Sequence, residues 1–90
     1  MRRSEAETLA LKVLAFLASD EEAIGRFITL SGIDPQDLRE RVDDPLLLAA
    51  MLDFLLGDDE LLTAFAQGEG IDPKVVHQAR RALPGAAPEV

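Results

Sequence analysis

The chain has 90 residues, 48% of them hydrophobic, and 17 acidic side chains against 9 basic ones give it a net charge of −8. That is length for one small domain. Without a cysteine, and with one histidine, His77, that lacks an obvious carboxylate partner, no disulfide, structural metal or cofactor is expected.

The charge is unevenly spread: residues 1–43 carry six bases and nine acids, 44–71 six acids and no base, and 72–90 three bases and two acids. An acidic surface repels nucleic acid and anionic membranes, so a charged partner is expected to be a basic protein surface. No run approaches the about 18–20 apolar residues of a membrane span. The most apolar one, Pro45–Leu56, is interrupted by Asp53. Arg2 and Arg3 ahead of an apolar stretch suggest a signal peptide, but Glu5, Glu7 and Lys12 break that pattern, so the expected compartment is the cytoplasm.

Apolar residues recur at three and four rather than two, which predicts helices throughout. The first spans about Ser4–Ala18. Glu5, Thr8, Lys12, Ala15 and Ser19 make one narrow polar or small stripe, and nearly everything else is apolar, as in a buried helix. A second helix follows at once. Ser19-Asp20-Glu21-Glu22 reads as a capping box in which the Ser19 hydroxyl accepts from the Glu22 N–H. Its inward face is Ala23, Ile24, Phe27 and Ile28. Gly32 stands where a helix ends in a left-handed residue. Ile33 packs back, Asp34 caps the next helix, and Pro35 takes its first position, where no N–H is needed.

The third helix runs about Pro35–Val42. Asp44-Pro45 starts the fourth, Pro45–Leu56, whose polar stripe is narrower still. Gly57 then stands as a weaker cap than Ser19, before a fifth helix with Leu61, Leu62, Phe65 and Ala66 inward. Gly70-Ile71-Asp72-Pro73 restates the earlier turn, and the sixth helix covers about Pro73–Leu83. Pro84-Gly85 ends it, leaving residues 86–90 as an expected disordered tail.

The second three helices restate the first three. Shifted by 38 residues, Val13–Asp43 lies over Met51–Arg81 without a gap, with ten identities in 31 positions. They include Leu14/Leu52, Phe16/Phe54, Asp20/Asp58, Phe27/Phe65 and the whole Gly-Ile-Asp-Pro block. Such a period marks a duplicated supersecondary unit. The expected fold is all-α: six short helices as two pseudo-symmetric three-helix repeats, about residues 4–43 and 44–83, in one compact domain over 1–85.

Candidate chemistry is sparse. Asp20-Glu21-Glu22 and Asp58-Asp59-Glu60 lack calcium-loop spacing and sit on first turns, where anions meet the helix dipole. Phe16, Phe27, Phe54 and Phe65 occupy repeat-related inward positions and read as core. The segments Phe27–Val42 and Phe65–Leu83 resemble a helix–turn–helix. In the first, acids would repel phosphate. In the second, Lys74, His77, Gln78 and Arg81 fall at i, i+3, i+4 and i+7 and form a candidate interaction face, for which a merely solvated surface is the plainer explanation.

The runs Ala15-Phe16-Leu17-Ala18, Phe27 through Leu30 to Gly32, Phe54-Leu55-Leu56 with Asp58–Leu62, Phe65-Ala66 and Leu83-Pro84-Gly85 resemble a family of short bacterial proteins known only as domain of unknown function 3572. The resemblance implies a small stand-alone bacterial protein and supplies no activity, cofactor or site residue. In size, each three-helix unit is also similar to ubiquitin-associated modules, without their Met-Gly-Phe/Tyr loop.

These features point to a protein–protein interaction or adaptor module, its partner another protein or a second copy. The alternative is a nucleic-acid-associated protein using its last helix. No nucleophile–base pair is visible, so no enzyme is expected. Neither a membrane nor a small-molecule ligand is indicated. The discriminating question is whether six short helices can cover so much apolar surface.

Overall fold

In the computed structural model, which describes residues 1–85, every helix after the first begins behind an aspartate cap. The helices are α1 (Arg3–Ala18), α2 (Glu21–Ser31), α3 (Pro35–Glu40), α4 (Pro45–Leu56), α5 (Asp59–Glu69) and α6 (Pro73–Arg81), with no strand among the described residues. Asp34, Asp44 and Asp72 each accept from the backbone N–H two residues on, with proline at the first helical position. The expected tail, residues 86–90, lies outside the described residues.

Local expectations need correction; the sixth helix, for one, stops at Arg81 rather than about Leu83. Ser19 and Gly57 do not cap α2 and α5; they are the C-caps of α1 and α4, and the Ser19 hydroxyl donates back to the Phe16 carbonyl at 2.7 Å. The caps are Asp20, accepting from Glu22 and Ala23 N–H, and Asp58, accepting from Leu61 N–H. A carboxylate is the stronger acceptor and complements the dipole, and both aspartates hold the extended backbone of an N-cap. The third helix is also shorter than Pro35–Val42: it stops at Glu40, and Arg41 leaves helical geometry at φ −113°, ψ 26°.

Gly32 and Gly70 end α2 and α5 at φ 71° and 69°. The two ends close differently. The Gly32 N–H donates to the Ile28 carbonyl, while in the second turn the Ile71 N–H reaches five residues back to Ala66.

α1 and α4 are the central struts and pack most extensively on each other, with α6 laid against both. α2 covers α1 and α4, and α5 covers α4 and α6. The radius of gyration, 12.2 Å, equals the about 12 Å expected of a compact chain this long. The core runs from Ala6, Ala10, Val13 and Leu17 of α1 through Leu48, Met51, Leu52 and Leu55 of α4 to Val76 and Ala79 of α6. Two edge-to-face aromatic pairs flank it. Phe16 meets Phe65 and Phe27 meets Phe54, both at 5.5 Å between centroids. The 38-residue shift exchanges the two contacts, each joining α1 or α4 to the covering helix of the other half.

α3 breaks this correspondence. α6 lies against both struts, whereas α3 makes no comparably extensive contact with any helix. The shift shows why. Where α6 buries the small Ala79, the first half has the exposed Arg41, just past the end of α3. Where Arg80 of α6 binds Asp53 of α4 at 2.6 Å, the first half has Val42 and Ala15. Where Leu83 is buried, the first half has already reached Pro45. α3 therefore touches the body mainly through Leu38.

Candidate functional site

The shallow seating of α3 leaves an apolar groove floored by Leu14 and Ala18 of α1 and walled by Ile24 and Ile28 of α2 and by Leu38 and Val42 of α3 and its following turn. It encloses about 370 Å³, and Arg39 is its one charged lining residue. Leu14, Ile24 and Ile28 are half-buried there. Their counterparts in the second half, Leu52, Leu62 and Ala66, are buried, and Leu56 packs against the core where the first half has only Ala18. One half is closed and the other is open.

The sequence-predicted face is placed as its helical spacing requires. Lys74, His77, Gln78 and Arg81 are all exposed on α6, opposite buried Val76 and Ala79. Gln78 and Arg81 border a shallow hollow with Met1 and Ala82. Neither Lys74 nor Arg81 is held in an ion pair among the described residues. Arg80 is not part of this face: its side chain, 14% exposed, spans from Asp53 to the Pro84 carbonyl.

The two acid clusters do come together. Asp20, Glu22, Asp58 and Glu60 line one hollow around Arg26. Arg26 bonds Asp58 at 2.9 Å and lies 5.7 Å from the centre of the Phe54 ring. The Leu61 N–H and then the Arg26 guanidinium hold the Asp58 carboxyl below its ordinary pKa. No group of three or more ligating side chains is arranged to hold a metal ion among the described residues. Nor is any helix among them long and apolar enough to cross a membrane.

Sequence reading missed the groove and Arg39. The available signal lay in the positions where the repeats differ: Ala18 against Leu56, Arg41 against Ala79, and Ala15 with Val42 against Asp53 with Arg80. Of the large exposed side chains elsewhere, Leu30 at 73% borders a more open hollow lined also by Glu21, Glu22 and Arg26, whose charges set it apart from the groove.

Nothing among curated proteins or solved structures matches the chain. A family model described as protein of unknown function (DUF3572) matches residues 3–86, nearly its whole length, and the chain belongs to this family.

Proposed function

We propose that this domain is a protein-interaction module, not an enzyme, and that it docks a partner through the groove between α1, α2 and α3. The observation that supports this is the asymmetry between the halves. The α1–α2–α3 pocket is open and apolar, and its half-buried Leu14, Ile24 and Ile28 correspond to buried Leu52, Leu62 and Ala66 in the second half. Apolar concavities of this kind mark binding sites, and the only polar group converging on it is Arg39. The test is a filled groove. Ala18→Leu restores the side chain found at Leu56, so proteins captured from the host by the wild-type chain should be lost with Ala18→Leu. Sedimentation equilibrium on both proteins shows whether a second copy is the partner. Equal capture and equal self-association by the two would refute the reading.

A second reading, nucleic-acid association through α6, is favoured by Lys74 and Arg81, exposed and unpaired among the described residues, beside His77 and Gln78. It must overcome a body of net charge −8, whose nearer acids are not screened at a Debye length of about 8 Å. Duplex binding that falls steeply with salt and is abolished by Lys74→Glu with Arg81→Glu would establish it.

A further inference from the structure

Among the described residues, six of the nine basic side chains are held in ion pairs. Of the remaining three, Lys74 and Arg81 lie on the open face of α6. The third, Arg39, lines the groove, and it stays unpaired among the described residues although the chain has nearly two acids for every base. Building on the groove reading, we infer that the groove takes a helical protein segment presenting a leucine-sized anchor with a carboxylate beside it, and that this carboxylate meets Arg39.

Each part of the occupant follows from the lining. Leu14 and Ala18 of α1, and Ile24 and Ile28 of α2, are two pairs spaced four apart on successive turns, while Leu38 of α3 and Val42 of the following turn close the third side. Ridges of this spacing receive the ridge of another helix, the helix-in-groove mode of recognition. The anchor is leucine-sized because the second half answers the same position with Leu56. The carboxylate follows from water exclusion. A seated helix covers the aliphatic stem of Arg39 and removes water from its guanidinium, which then needs an acceptor, and its planar fork matches a carboxylate. A basic group there would set like charges together. The segment carries little further negative charge, since the body repels acids at longer range.

The probes are three synthetic helical peptides of alanine and glutamine with one pair of leucines four apart. They differ only in carrying Glu, Gln or Lys one turn from the first leucine. Each is titrated into the full chain and followed through the methyl resonances of Ile24, Ile28 and Leu38. The Glu peptide should bind about three- to fivefold more tightly than the Gln peptide, the scale of one exposed ion pair, and the Lys peptide more weakly than either. Arg39→Glu should reverse the order, and Ala18→Leu should remove all binding while the thermal midpoint shows the variant folded. Equal binding of Glu and Gln peptides, or an order that Arg39→Glu leaves unchanged, would overturn the carboxylate assignment. The groove reading would survive that result if Ala18→Leu still blocked binding. Binding indifferent to Ala18→Leu would overturn the groove itself, and a failure of all three peptides to bind would overturn both.

Discussion

Alanine substitutions at two glycines of one helix should move stability in opposite directions. Gly25 lies within α2, and a Cβ built there meets nothing within 4 Å. Gly32 ends the same helix at φ 71°, and a Cβ there also meets nothing within 4 Å. Sterics are thus absent from both, and only backbone preference remains. At Gly25 alanine removes the entropic penalty of glycine in a right-handed helix, a gain of about 0.5–1 kcal/mol. At Gly32 alanine must adopt the left-handed conformation at a cost of about 1–2 kcal/mol. The stiffer unfolded chain offsets about 0.4–1 kcal/mol of that, leaving a net loss of about 1 kcal/mol. For a domain this small, 1 kcal/mol corresponds to a shift of about 4–8 °C in thermal midpoint. Gly25→Ala should therefore raise the midpoint by several degrees and Gly32→Ala lower it by a similar amount, as should Gly70→Ala, at φ 69°. Circular dichroism melts decide the matter. Shifts of the same sign, or an unchanged midpoint for Gly32→Ala, would refute the left-handed helix end.

Three further substitutions test the packing and the charges. Phe27→Ala should cost about 3–5 kcal/mol by urea unfolding, with a coupling to Phe54→Ala of about 0.5–1.5 kcal/mol from their edge-to-face contact; additive losses would remove that contact from the account. Arg80→Met keeps the buried stem but loses the bond to Asp53, which is 57% exposed. The expected loss is therefore only about 1 kcal/mol, and smaller at high salt. Asp58 has a folded pKa held below its ordinary 3.8 by the Leu61 N–H and Arg26, and Asp44 likewise by Arg41 and the Leu46 N–H. A lowered folded value adds stability above the unfolded pKa and loses it as pH falls through the folded one. The stability difference between wild type and Asp58→Asn should thus be full at neutral pH and shrink below about pH 4, whereas a gap constant with pH would contradict the assignment.

What the sequence made legible was local and periodic. Proline at a first position behind aspartate can hardly do anything but start a helix, and that signal placed the starts of α3, α4 and α6 to the residue. The α6 face was legible for the same reason, since a 3.6-residue period sends Lys74, His77 and Arg81 outward once Val76 and Ala79 turn in. Ser19 against Asp20 was decided elsewhere. Both residue types cap helices, and the choice fell to where α1 ended, which depends on its packing against α4. The groove was hidden for a related reason. How deeply a six-residue helix seats is set by residues far apart in sequence: Arg41, Ala15, Val42 and Ala18.

The same residues explain why the domain can hold an open pocket without losing its fold. The central body is α1, α4 and α6, closed by buried Val76, Ala79 and Leu83 and fastened by Arg80 to Asp53. α3 contributes Leu38 to that body and little more, so its seating is only weakly coupled to the packing of the other five helices. Contacts confined to such a lightly packed element open at lower free energy than the core. Amide exchange should accordingly be faster in α3 than in α6, although the shift aligns the two helices and both carry the same aspartate–proline start. Equal protection of α3 and α6 would mean that α3 is seated as firmly as its counterpart, and the asymmetry from which the groove arises would lose its energetic basis.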